Sequence, residues 1–402
     1  MKNKRLVTLL GCICLVVVLV SISIITASAQ VKKLQIGSLT SMTGWFSTMD
    51  VQMWNELQIV RDIINEGGGI TIGGQKYEIE LLVEDCKSSL DGVTAATNSL
   101  IYNKGVKFIV GPAAFFSMAT APVADPNKVI HVLGYCTDTP LEIGPKVPYG
   151  FLGYFGSEGR MRVMTQILKQ KYPSYKNLAM VSPAGGINDD LRPKVKAYLA
   201  AQGYNLVGEW VVFPDDATDY SPYASKINAI KDADCIFWLN AIAAHIGNMA
   251  KALRSLGNKK LMLVGATSSG HTVMDICGKD AANNIITLAP TANAPGNPPI
   301  LNEIIKRITT KYGAGAPIYL ENSAALYVLI QVIKAAQSID PTVVKTKWES
   351  MNNVDTMFGP GIIGGDQTYG IKHHGIAHPM SAQLLDKAQV SFYGWYNVPS
   401  IP

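Results

Sequence analysis

Apolar and polar positions along the chain fall into two alternating rhythms. Residues 34–39 form a short apolar run that ends in the polar turn Thr40-Ser41-Met42-Thr43-Gly44, the pattern of a buried strand. Met53, Leu57, Val60 and Ile64 then recur at helical spacing, which assigns Asn55, Glu56, Arg61 and Asp62 to the other face. Gly67-Gly68-Gly69 stops this helix, because glycine tolerates a left-handed C-cap. Tyr77, Ile79, Leu81 and Val83 alternate with Glu78, Glu80 and Glu84, a strand with one wetter face. Asp91 is placed to cap a helix whose Val93, Ala96, Leu100 and Ile101 face inward, and the runs 108–111 and 129–134 read as two more strands.

After about residue 152 the rhythm restarts. Strands at 178–182, 204–212, 235–239 and 261–266 alternate with helices near 158–171, 188–202, 222–231 and 244–256, and 285–289 adds another strand. A Pro/Gly-rich stretch at 290–299 breaks the pattern, helices follow near 299–312, 320–338 and 341–352, and the tail reads as glycine turns between short strands, ending with 390–396. Alternation of this kind predicts an α/β fold with two doubly wound parallel-sheet lobes, the chain returning to the first lobe after building the second. Ligands of open parallel sheets sit off the carboxyl ends of the strands, which nominates the loops 40–50, 112–117, 135–139, 183–188, 240–245 and 267–271.

Composition narrows the class. With 48% hydrophobic and 16% charged residues the chain cannot be disordered, since so much apolar surface collapses. Lys2, Lys4 and Arg5 precede an apolar stretch at 6–25, and Ala27-Ser28-Ala29 supplies the small residues that signal peptidase needs, making Gln30 the new terminus. The same stretch is long enough to span a bilayer uncleaved. Leu9-Leu10-Gly11-Cys12 resembles a lipoprotein box only superficially, because the apolar core follows the cysteine. Removing 29 of the 402 residues leaves 373, more than one core usually serves, with 32 basic and 30 acidic residues. No basic run suits a phosphate backbone, so nucleic acid is excluded as a partner. Of the six cysteines, Cys86, Cys136, Cys235 and Cys277 stay with the mature chain; their wide spacing indicates neither a zinc site nor a redox pair, and buried thiols are expected.

The chain resembles type I periplasmic solute-binding proteins of the branched-chain amino-acid class, the exported receptors of ABC importers. The resemblance rests on Ile36-Gly37-Ser38-Leu39-Thr40-Ser41-Met42-Thr43-Gly44, Ile64-Asn65-Glu66-Gly67-Gly68, Glu84-Asp85-Cys86, Phe108-Ile109-Val110-Gly111-Pro112, Asp219-Tyr220-Ser221-Pro222, and Phe358-Gly359-Pro360 through Gln383. It implies a three-crossover hinge, with lobe one at 31–151 plus 288–358 and lobe two at 152–287 plus the C-terminal strands of 359–402. It also implies a monomer that closes on a small-molecule ligand and docks on a membrane permease, with no cofactor. A ligand-sensing receptor on the same fold, or a true leucine/isoleucine/valine-binding protein, is the alternative.

The family reads an α-amino acid with a serine, a threonine, a lobe-two acid and wall tyrosines. Those positions correspond here to Phe115 or Ala114, to Asp138 or Thr137, to Thr267, and to Met49, Ile187 and Ala241 or Ile242, so nearly every amino-acid-specific group is missing. A buried ammonium without a carboxylate partner is costly. Trp45, Phe115, Phe116 and Tyr135 instead offer apolar and π surface, which favours an aromatic or aliphatic acid or amide over a standard α-amino acid. Phe115 and Phe116 are neighbours, so one of them belongs to the core. Asp138 either faces solvent in a turn before Pro140 or meets a cationic or hydroxyl group of the ligand, and Cys136 and Asn240 lie in nominated loops. Cys86 occupies the family's disulfide position, but its partner position is Ala114. His373, His374 and His378 are read as a solvated turn and not a metal site. No G-x-S-x-G elbow is present, Ser268-Ser269-Gly270-His271 is only a local cluster, and an enzyme is not expected.

Overall fold

A computed structural model describes residues 31–313, 315–398 and 401–402; the leader expected at 1–29 and its cleavage point at Gln30 lie outside the described residues. The first sheet is assembled from β1 (Lys32–Thr40), α1 (Ser47–Glu66), β2 (Ile70–Ile72), β3 (Gln75–Asp85), α2 (Leu90–Asn98), β4 (Phe108–Val110), α3 (Ala121–Ala124), β5 (Ile130–Leu133) and β6 (Gly150–Leu152). Its order is β2-β3-β1-β4-β5-β6, parallel except for β2. β1 is central, pairing β3 on one side and β4 on the other, so its second half is buried throughout. The second helix is capped not by Asp91 but by Ser89, whose hydroxyl accepts the Gly92 N–H at 3.0 Å, leaving Asp91 in the first turn.

The second sheet follows with α4 (Ser157–Lys171), β7 (Asn177–Pro183), α5 (Gly186–Ala201), β8 (Asn205–Leu206), β9 (Val211–Phe213), α6 (Ser221–Ala229), β10 (Cys235–Leu239), α7 (Ala243–Ser255), β11 (Leu261–Thr267), α8 (Gly270–Cys277) and β12 (Ile285–Leu288). The single strand expected at 204–212 is two short ones. β8 pairs the start of β7 and β9 its end, with the chain looping out between them through Gly208 at φ +71°.

The chain then returns through α9 (Pro299–Tyr312), α10 (Glu321–Ala336) and α11 (Pro341–Trp348). α9 and α10 pack on α1, and α10 also reaches β5. This return explains one departure from the helical pattern. Glu56, assigned by spacing to the polar face of α1, is fully buried, and its carboxyl accepts the N–H groups of Tyr319 (3.0 Å) and Leu320 (2.8 Å). Burial pushes its pKa up to about 7 against those hydrogen bonds.

A small antiparallel sheet joins β13 (Asn353–Thr356), β14 (Gly359–Gly364) and, after α12 (Asp366–Tyr369), β15 (Gly375–Ala377). It sits beside the first sheet: the His374 carbonyl accepts the Leu152 N–H at 2.9 Å, and the His374 ring stacks on Phe151 at 3.9 Å. Only β16 (Pro379–Asp386) and β17 (Gln389–Asn397) of the tail join the second sheet, β16 antiparallel to β12 and β17 antiparallel to β16. The segment 359–377 thus packs beside the first sheet.

Three crossovers link the lobes, at 153–156, 289–298 and 378. A Cβ on Gly153 would run into the backbone of Ala325 in α10, so only glycine lets the first crossover lie this close. His374 and His378 are buried, not solvated: His374 Nδ1 meets the Gly150 carbonyl at 2.6 Å and its Nε2 meets Glu349 at 3.1 Å. Among the described residues no cluster of side chains could hold a metal, and all four cysteines are buried free thiols.

His378, in the third crossover, stacks on Phe358 at 4.8 Å and bonds the Pro379 carbonyl through Nδ1 at 2.8 Å. Burial lowers its pKa from 6.5 to about 4. The unfolded chain therefore binds a proton here below about 6.5 that the folded chain refuses until about 4, and the stability present above 6.5 is lost as pH falls through that window. Urea unfolding at pH 7 and pH 4.5 is expected to show a drop that is smaller by about 2 kcal/mol in His378→Phe than in the parent.

Candidate functional site

Between the two sheets lies a cleft of about 570 Å³. Its walls come from loops beyond the carboxyl ends of parallel strands: Ala114, Phe115 and Met118 after β4; Tyr135, Thr137, Thr139 and Leu141 after β5; residues 183–185 and 188–190 after β7; Asp215 after β9; Asn240 and Ala241 after β10.

The lobe-one wall is aromatic. Phe116 is core and Phe115 is half-buried on the cleft, as neighbouring residues with opposed side chains must be. Phe115 sits 5.3 Å from Phe46 and 6.2 Å from Tyr135, and Tyr135 also faces the buried Arg160 guanidinium at 5.7 Å. Burial pushes the Tyr135 hydroxyl up to about 12. The loop after β5 is shaped by Glu142, itself only 1% exposed. Its carboxyl accepts the hydroxyls of Ser117 (2.5 Å), Thr137 (2.7 Å) and Thr139 (3.2 Å) and the N–H groups of Thr137 and Thr139.

Arg160, on α4, ties the two walls together. Its Nη2 donates to the Cys136 carbonyl (2.8 Å) of lobe one, to Ser157 Oγ (3.2 Å) and to Asn240 Oδ1 (3.3 Å) of lobe two. Asn240 in turn donates to Asn188 Oδ1 at 3.1 Å.

Of the residues singled out by sequence, the cleft brings together Ala114, Phe115, Tyr135, Thr137, Asn240 and Ala241. Trp45 does not line it: half-exposed at 55%, it packs edge-on against Phe115 from the outer side at 5.3 Å. Met49 is buried in the core beneath that aromatic cluster. Cys136 points the opposite way from its neighbours Tyr135 and Thr137, into the core.

Asp138 neither faces solvent nor enters the cleft. It is buried with φ +64°, and its Oδ2 accepts the Glu158 N–H (2.8 Å) in the first turn of α4, where a negative group suits the helix N-terminus. Burial raises it to about 6, opposed by that hydrogen bond and by Arg160. A Cβ on Gly156 would run into this carboxyl, which explains the glycine. Thr267 is buried at the end of β11, its hydroxyl 3.5 Å from Tyr154 Oη and shut off from the cleft. Ile187 lies in the first turn of α5, and its side chain is outside the described residues.

Thr139 and Asn188 lie in nominated loops without having been singled out, and sequence reasoning missed Met118, Leu141, Asp189, Asp190 and Asp215. The strand-end rule that nominated the other loops also covers Pro214-Asp215-Asp216 once 211–213 is seen as a strand of its own.

A two-lobed α/β molecule with a cleft lined from both lobes has the architecture of a protein that closes on a small ligand. A periplasmic binding protein family model matches residues 33–388, and the chain belongs to that family. Among curated proteins none matches. Solved structures similar in fold include a leucine-binding protein from Thermotoga maritima (20% identity, TM-score 0.72, covering 90% of this chain and 99% of that one). Another is a branched-chain amino-acid transporter substrate-binding protein from Streptococcus pneumoniae in complex with isoleucine (18%, TM-score 0.71, 91% and 99%). A third is an ABC-transporter solute-binding protein from Rhodopseudomonas palustris in complex with 4-hydroxybenzoate (20%, TM-score 0.70, 92% and 98%).

Proposed function

We propose that the chain is the extracytoplasmic receptor of an ABC-type importer, exported by a leader cleaved after Ala29. As a monomer it closes its lobes on one small organic ligand and presents the closed form to a membrane permease. The observation that carries this reading is the cleft itself, whose two walls belong to separate sheets. A ligand touching both walls has contacts in the closed state that it lacks in the open one, and that difference drives closure.

The ligand is an aromatic or aliphatic acid or amide and not a standard α-amino acid. Phe115, Tyr135, Ala114 and Met118 supply an apolar wall, and the position where the family carries its acid is Thr267, walled off from the cleft. Among the relatives in fold, one is in complex with isoleucine and one with 4-hydroxybenzoate, so both classes belong in the test.

Thermal unfolding of the mature chain with leucine, valine, aromatic and short aliphatic acids and their amides is the direct measurement. A true ligand at 100 times its dissociation constant adds roughly 2.7 kcal/mol. The midpoint is expected to rise with an acid or amide and to stay put with leucine and valine. A rise with leucine or valine would restore a branched-chain amino-acid receptor.

A further inference from the structure

The cleft's side chains divide sharply by what they offer a ligand. Thr137 and Thr139 give their hydroxyl hydrogens to Glu142, so towards the cleft their oxygens can only accept. Asn240 and Asn188 each commit one amide hydrogen, to Asn188 Oδ1 and to the Ala184 carbonyl (3.3 Å) respectively. Asp189, Asp190 and Asp215 are carboxylates, and no Lys, Arg or His is among the described residues of the lining. Arg192 is engaged with Asp189 and Ser182, and Arg160 lies behind the wall. The Tyr135 hydroxyl and the second amide hydrogens of Asn188 and Asn240 are the lining's side-chain donors left uncommitted among the described contacts.

Asp215 stands out among the acceptors. Its Oδ1 is buried yet has no hydrogen-bond partner, while its backbone is held by His245, whose Nε2 meets the Asp215 carbonyl at 2.9 Å. A buried acceptor left unpaired costs free energy that a donor from a ligand would recover. The π faces of Phe115 and Tyr135 stand on the lobe-one wall of the same cleft, and such faces attract a cation as well as an apolar body.

We infer that Asp215 is the head-group subsite of this cleft. It takes a nitrogen rich in N–H donors, an amidinium, ammonium or primary amide, while the ligand's carbon body lies against Phe115 and Tyr135. This rests on the receptor reading above and selects the amide over the free acid. On closure the ligand nitrogen from one wall and its body from the other would bridge the lobes.

Titration calorimetry on the mature chain with benzamidine, benzamide and benzoate tests it, with small-angle scattering to follow lobe closure. The parent is expected to bind benzamidine or benzamide at least about tenfold more tightly than benzoate, and to contract with them. Asp215→Asn, checked for an unchanged unfolding midpoint without ligand, is expected to lose about tenfold or more for benzamidine and nothing for benzoate. Benzoate binding best and contracting the molecule would overturn the inference and leave the receptor reading standing. Unchanged benzamidine affinity in Asp215→Asn, or no binding of either nitrogen probe at millimolar concentration, would also overturn it. Binding of the nitrogen probes without contraction would instead overturn the closure on which the receptor reading depends.

Discussion

Arg160→Met is expected to lower the unfolding free energy by about 3 kcal/mol. The guanidinium is 1% exposed and makes no ion pair among the described residues. Besides facing the Tyr135 ring and the Asp138 carboxyl's field, it holds the walls through hydrogen bonds, to Cys136, Ser157 and Asn240 through Nη2 and to the Phe155 carbonyl through Nη1 at 3.5 Å. Methionine fills the space of the stem and donates nothing, so the buried Cys136 and Phe155 carbonyls are left short of a donor, at roughly 1–3 kcal/mol each, while Asn240 Oδ1 keeps the Ser157 hydroxyl at 3.1 Å. Relief from burying a charge offsets part of that loss, which is why the expectation lies below the simple total. Urea unfolding measures it. Arg160→Lys keeps the charge but not the fork, and should fall between parent and methionine variant. A methionine variant as stable as the parent would mean that desolvation of the guanidinium cancels its hydrogen bonds.

Glu142→Leu should be nearly as costly, by about 3 kcal/mol, and should also weaken ligand binding by about tenfold. The change keeps the approximate volume but removes both acceptor oxygens. The three hydroxyls can rotate away, whereas the N–H groups of Thr137 and Thr139, both aimed at Oε2 at 3.1 and 3.0 Å, cannot. The wall from 137 to 141 would then shift, carrying Thr137, Thr139 and Leu141 out of place. Hydrogen exchange at the Thr137 and Thr139 amides gives a local readout: both should exchange faster in the variant while the strand amides of β5 keep their protection. Unaltered exchange would show that the loop is held by its backbone and not by this carboxyl.

The parallel strands were legible because a strand buried on both faces is a plain apolar run, as 108–110, 235–239 and 261–267 are. The small breaks were not: nothing local in 204–212 announces that the chain leaves the sheet between Leu206 and Val211 to pair with two ends of one neighbour. The polar residues went astray for a shared reason. Glu56 is buried by a segment 263 residues away, Asp138 serves a helix that begins 19 residues later, and His378 is enclosed by Tyr154 and Phe155 of the first crossover and by Phe358. Each looks like surface until its distant partner is known. In the site, the strand-end rule found four of the contributing loops, and loops 40–50 and 267–271 fail it because other packing covers them. Trp45 and Phe46 fold onto Phe115 and Phe116, and Thr267 is met by Tyr154.

The triple passage of the backbone between lobes has a consequence for how the molecule comes into being. All six strands of the first sheet precede residue 153, yet α1 is covered by helices from 299–336. The second sheet closes only when β16 and β17, the last strands of the chain, pair beside β12. Neither half can complete its apolar core from an N-terminal fragment, and contacts as distant as Gln52 with Pro317 must form late. Such a chain emerges unfinished from synthesis and stays pliable until its end is free, the state in which a polypeptide can still be threaded through a narrow channel before it folds.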